Sequence, residues 1–174
     1  MMMFRTTSFR SLALIAAFVA LQPAVAQAQA IDGYKFLKAV EESDGNAVTS
    51  MIGRPGGTVI NTRDATSGRT AMHIVTERRD LTWMNFLLSR GAKADAVDNK
   101  GMTPLLIATQ LRFVDGVSVL IDNGADVNKG DSRGETPLMK AVLNRDLAMV
   151  RLLVSRGANP DKTWESRSLP IGNG

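Results

Sequence analysis

The chain has 174 residues, of which 44% are hydrophobic and 22% charged, and 21 Lys+Arg against 17 Asp+Glu give a formal net charge of +4. This is ordinary globular composition for one domain with a short tail, and it excludes a wholly disordered chain. With no Cys, one His, one Tyr and two Trp, the chain has no disulfide framework, Cys-ligated zinc, iron–sulfur cluster or thiol nucleophile. Little is left for a His-rich metal site, a Ser/His pair or a base-stacking platform.

Residues 1–30 are set aside first. Arg5 and Arg10 make a positive start with no acidic residue, and Leu12 to Leu21 form an apolar run. Gln22-Pro23 and small residues follow, up to Ala30. This is the pattern of a secretory signal peptide. The run is too short for a bilayer core, which takes about 20 apolar residues. Cleavage is expected after Ala26, Ala28 or Ala30, and no stable membrane anchor is expected afterwards. Removing this segment takes two basic residues and leaves 19 against 17, or +2 for residues 31–174. That charge argues against nucleic acid as a partner.

The remaining chain repeats. Gly68-Arg69-Thr70-Ala71-Met72-His73, Gly101-Met102-Thr103-Pro104-Leu105-Leu106 and Gly134-Glu135-Thr136-Pro137-Leu138-Met139 are 33 residues apart. Gly91-Ala92, Gly124-Ala125 and Gly157-Ala158 keep the same period, each after an apolar segment. Each unit reads as two short helices and a polar turn. The Thr is an N-cap, and Pro104 and Pro137 stand at the first helical position, where the missing N–H costs nothing. The glycines at 91, 124 and 157 end the second helix in a left-handed cap. Val114, Val117, Leu120 and Ile121 give the second helix of the middle unit a buried face. Gly116 inside it is expected to weaken it by about 1 kcal/mol.

These units resemble the ankyrin repeat. The family pattern stands at Asp98 to Leu106 and Asp131 to Met139, and its Gly-Ala-Asp-Val-Asn ending is complete at Gly124 to Asn128. Asp64 to Gly68 has one residue more than Asp98 to Gly101, so the first finger carries a bulge. The resemblance implies an all-α repeat fold, an ankyrin solenoid of stacked helix pairs joined by hairpin-like fingers. A degenerate N-cap repeat spans about 31–63, with Leu37, Val40, Val48 and Met51 buried. Repeats follow at about 64–97, 98–130 and 131–161, then a tail at 162–174. In that tail, Trp164 and Leu169-Pro170-Ile171 are expected to cover the last helix pair.

No nucleophile elbow, phosphate-binding glycine loop or dinucleotide fingerprint is present. His73 reads as a structural residue bonding the Thr70 cap and the adjacent finger. Asp64, Asp98 and Asp131 read as turn carboxylates rather than calcium ligands. No catalytic, cofactor-binding or metal residue is assigned, and no cofactor is expected. The resemblance instead implies a protein partner held on the concave face of a monomer. The positions left free by folding are Arg69, Glu77, Arg78, Lys100, Met102, Gln110, Leu111, Arg133, Glu135 and Asn144. Arg69, Lys100 and Arg133 form a basic row suited to an acidic groove on the partner. The expected place is the bacterial periplasm. The alternatives are a secreted effector that binds a host protein, a polyanion binder, or a hydrolase using His73.

Overall fold

The computed structural model describes residues 30–53 and 59–163; residues 1–29, with the expected signal segment, Arg54 to Thr58, and the tail from Trp164, with its expected cover of the last helix pair, lie outside the described residues. Helix α1 covers residues 30–41. It is followed by α2 (Gly45–Ile52), α3 (Ala71–Glu77), α4 (Leu81–Ser89), α5 (Pro104–Gln110), α6 (Val114–Asp122), α7 (Pro137–Leu143) and α8 (Leu147–Ser155). Short 3-10 turns stand at Val59–Asn61 and Asp161–Thr163. Among the described residues there is no strand, and no helix is long and apolar enough to cross a membrane.

Local sequence explains the helix starts. Thr103 and Thr136 cap α5 and α7 through their hydroxyls, which accept from Leu106 N–H at 3.1 Å and Met139 N–H at 3.3 Å. The prolines at 104 and 137 follow them. Three carboxylates cap the second helices: Asp44 accepts from Ala47, Asp80 from Trp83 and Asp146 from Met149. In α6 the cap position is Phe113, which has no side-chain cap bond. Its ring lies where a Cβ on Gly116 would stand. Gly116 therefore makes room for Phe113, and its cost to helix propensity is offset by packing.

The helices stack in pairs. Inner helices α3, α5 and α7 pack side by side, each backed by its outer partner α4, α6 or α8, and α4 packs on α6. One continuous core runs along the stack through Phe36, Met72, Met84, Leu105, Leu120, Met149 and Leu153, each at most 1% exposed. Of the residues expected to be buried in the N-terminal pair, Leu37, Val40 and Val48 are, while Met51 is half-buried. Val114 does not reach the core: it is 44% exposed at the first position of α6.

Polar contacts repeat across every junction. Between the helices of each pair the chain passes through a left-handed residue: Ser43, Arg79, Arg112 or Arg145. The Arg79 guanidinium donates to the Leu111 carbonyl, and Arg112 donates to the Asn144 carbonyl at 2.9 Å. These carbonyls end the next inner helix, where backbone acceptors are otherwise orphaned. Arg78 reaches backward to the Val40 and Glu41 carbonyls at 2.7 and 3.1 Å.

At the finger bases an amide does similar work. Asn61 donates to the Gly91 carbonyl and accepts from Lys93 N–H; Asn128 donates to the Gly157 carbonyl and accepts from Asn159 N–H. Asp95 holds this place in the repeat between them and cannot donate. Lys129 neutralises one of its oxygens at 2.6 Å, and its Oδ1 is buried without a hydrogen-bond partner. An unpaired buried acceptor costs about 1–3 kcal/mol, while a half-exposed ion pair returns under about 1 kcal/mol. Asp95→Asn is therefore expected to stabilise the chain by about 1 kcal/mol. Urea denaturation checks this, and a lower midpoint for the variant would contradict it.

Candidate partner-binding face

The fingers and inner helices form the face on which the free positions were expected. Each finger is closed by its aspartate. Asp64 Oδ1 accepts from Ser67 N–H at 2.7 Å, Asp98 Oδ1 from Lys100 and Met102 N–H at 2.8 Å, and Asp131 Oδ1 from Arg133 and Glu135 N–H at 2.9 and 3.0 Å. These are Asx-type turns. The expected bulge is present: Gly68 N–H reaches four residues back to Asp64, whereas Gly101 N–H reaches three back to Asp98. Successive fingers are joined by Asn99 N–H to the Ser67 carbonyl and by Ser132 N–H to the Lys100 carbonyl. At Gly101 (φ 73°) the approach is close enough that a Cβ would press into the Ser132 backbone.

His73 is fully buried. Its Nδ1 faces the Thr70 N–H at 3.1 Å, so that nitrogen is an acceptor. Nε2 therefore carries the proton and donates to the Met102 carbonyl at 3.0 Å. Burial pulls its pKa below the ordinary value, outweighing the opposing pull of the Met102 bond and Asp98. The ring ties α3 to the next finger in a neutral state, with both nitrogens occupied.

The basic row is altered by its neighbours. Arg69 pairs with Glu77 at 2.5 Å across the first repeat. Arg133 pairs with Glu135 at 2.8 Å. Lys100, between them, is exposed and has no ion pair among the described residues. The expected row of three free cations is thus two internal ion pairs flanking one free charge. Arg78 is likewise occupied, by the Val40 and Glu41 carbonyls, by Asp80 at 3.6 Å and by the Trp83 ring. It is a strap of the stack rather than a free surface residue. Leu111 and Asn144 lend their carbonyls to arginine straps while their side chains stay partly open. Gln110 is exposed and Met102 half-buried, at the places Glu77 and Arg69 hold one repeat earlier, and Leu143, one repeat beyond Gln110, is 69% exposed.

The third finger is held by a device that was not anticipated. Lys140 is 4% exposed at the place of Ile74 and Ile107. Its ammonium donates to Asp131 at 3.0 Å and to Glu135 at 2.8 Å. Among the described residues no further finger packs beyond this one, and Lys140 ties it to α7 instead. Burial alone would raise the Asp131 pKa, but the Lys140 bond and the Arg133 and Glu135 N–H groups outweigh it and lower the value. A carboxylate with a depressed folded pKa stabilises the fold above its unfolded pKa, and that stability is lost as pH falls through the folded value. Lys140→Met strands a buried carboxylate and is expected to cost about 3 kcal/mol at pH 7. Because Asp131 then titrates closer to its ordinary value, the gap between variant and parent should narrow below about pH 4. A gap in urea midpoints that stays constant from pH 7 to pH 3 would contradict this.

Among the described residues no group of three or more His, Cys, Asp or Glu is placed to hold a metal ion. No curated protein matches the chain. The family model described as ankyrin repeats (3 copies) matches at residues 36–131 and again at 84–163. Together these spans run from within α1 to the end of the described residues, and repeats of this kind generally mediate protein–protein interaction. The period of 33, the Thr-Pro starts and the stacked helix pairs are accounted for by one conclusion: the chain belongs to the ankyrin-repeat family.

Proposed function

We propose that the chain is a non-catalytic scaffold that binds one protein partner through the middle of its concave face. The observation that carries this reading is the contrast along the face. The first and third repeats neutralise their cations internally, through Arg69–Glu77 and Arg133–Glu135. The second leaves Lys100 without an ion pair among the described residues, in the repeat that carries Met102, Gln110 and Leu111 at its free positions. An unpaired cation beside flexible apolar side chains suits a partner loop with one carboxylate and an apolar neighbour. Leu143 extends the apolar part of that surface. Glu77, Arg133, Glu135 and Asn144 frame it and favour register over affinity. His73 has both ring nitrogens occupied, which supports a structural role over a hydrolytic one.

Export to a bacterial periplasm is the favoured setting, on the strength of the positive start, apolar run and small residues of 1–30. The protein would act there as a monomer that holds or protects another envelope protein. Release into the medium as an effector is the second reading, on the same segment.

The experiment is affinity capture from envelope extract on the immobilised chain, beside two folded variants. A specific protein retained by the parent and by Arg69→Glu/Arg133→Glu, but lost with Lys100→Glu/Met102→Asp, is the expected result. Retention by both variants would contradict the central-patch reading. Loss with the outer pair alone would place contact on the flanking ion pairs instead.

A further inference from the structure

Helix α1 keeps the register of the inner helices. Ser43 has the left-handed backbone of Arg79. Asp44 N–H donates to the Ala39 carbonyl at 2.8 Å, as Asp80 N–H donates to the Val75 carbonyl at 3.0 Å. Both aspartates then cap the outer helix that follows. Asp44 and Asp80 thus fix an offset of 36 residues between α1 and α3. By that offset Lys38 holds the place of Ile74, Glu41 the place of Glu77, and Gly33 the place of Arg69.

The likeness ends where α1 begins. In the three later repeats a threonine caps the inner helix and a finger precedes it. Tyr34 stands at that place in α1, and residues 30–41 are one helix, so among the described residues no finger stands beside α1. Three groups are left open as a result. Lys38 is exposed, whereas Ile74, Ile107 and Lys140 are buried. Glu41 is exposed with no ion pair among the described residues, whereas Glu77 is paired with Arg69. Ala65 is exposed and its N–H has no hydrogen bond among the described residues. The matching N–H groups of Asn99 and Ser132 donate to the preceding finger, at the Ser67 and Lys100 carbonyls, at 2.9 and 3.2 Å.

A cleft of about 290 Å³ lies between α1 and the first finger. Leu37 and Ile74, both buried, give it an apolar floor, and Tyr34, 65% exposed, gives it an aromatic rim. Of the charged residues that line it, Lys38 pairs with Glu42 at 3.8 Å and Arg69 with Glu77. Glu41 and Asp64 are left over. The Ser67 hydroxyl and N–H hold the Asp64 carboxyl below its ordinary value, so it is charged at neutral pH.

We propose that this cleft takes an extended segment of the protein partner in the place a finger would hold, with a backbone carbonyl accepting from Ala65 N–H and an arginine pairing with Glu41 as Arg69 pairs with Glu77. The inference deepens the reading of the concave face as a protein-binding surface, and rests on it. Arginine fits better than lysine. Its fork matches a carboxylate, its plane stacks on a tyrosine ring, and its alkyl stem covers an apolar floor. The backbone bond adds the partner to the row of fingers as one more strand-like edge. With an arginine at the α1 end and a carboxylate at Lys100, the segment has one direction along the face.

The probe is the blocked pentapeptide acetyl-Ala-Ala-Arg-Ala-Ala-amide, titrated into the full chain and followed by NMR. The readouts are the Ala65 amide signal and the ring signals of Tyr34, the single tyrosine. The arginine peptide is expected to shift both saturably, and its norleucine analogue to bind about tenfold more weakly. Glu41→Gln, a change at an exposed side chain, is expected to abolish that preference while leaving the norleucine peptide's affinity unchanged. Equal affinity for the two peptides, or a preference that survives Glu41→Gln, would overturn the proposal. So would shifts at Tyr34 with a silent Ala65 amide, or tighter binding of the glutamate analogue, which would make Lys38 and Arg69 the recognising groups. The titration does not vary Lys100 or Met102, so its failure is distinct from a failure of the central-patch reading in affinity capture.

Discussion

No repeat of this chain buries its own core. Each inner helix has seven residues, well below the length at which an isolated helix holds together in water. The helices persist because each lies between two others, and the constraint that follows is strict translation by one repeat. Leu105 at the middle is fully buried because α3 and α7 flank α5. The same translation lets a backbone carbonyl at the end of one helix be satisfied by an arginine of the helix pair before it. Left-handed arginines are uncommon, since a non-glycine residue with positive φ pays for the conformation. Here Arg79 and Arg112 use that turn to aim a guanidinium across the junction.

Function follows from what this arrangement leaves over. Thr caps, finger aspartates, His73 and the arginine straps are all used inside the stack. The surface positions between them then divide by charge pairing. Where a repeat carries both an arginine and a nearby glutamate, as in the first and third, the side chains answer one another. The second repeat has Met102 and Gln110 where the first has Arg69 and Glu77, so Lys100 has no internal carboxylate. That substitution, rather than any reactive constellation, distinguishes the centre of the face.

The architecture was legible in the sequence because the signals are local and repeated: a Thr-Pro start, a Gly-Ala end, and an aspartate closing each finger. The role of His73 was legible for the same reason. The surface was less so. Arg69 and Glu77 are eight positions apart and meet only because finger and inner helix fold against each other. Arg78 looked free because its acceptors, Val40 and Glu41, belong to the degenerate first pair. The arginines at 79, 112 and 145 did carry a readable signal, their shared 33-residue spacing. Lys140 in an apolar position was the sign of a buried ion cluster, and Gly116 three residues after Phe113 was the sign of a ring over a backbone. Both need the neighbour's position to be interpreted.

Joint burial of the core is the claim on which all of this rests. The most direct measurement is amide hydrogen exchange in the chain carrying Leu105→Ala, which opens a cavity in α5 alone. A jointly buried stack predicts that α3, α5 and α7 lose protection together and by similar factors. Loss confined to α5, with α3 and α7 as protected as in the parent, would show that each pair is stable by itself and would contradict the account.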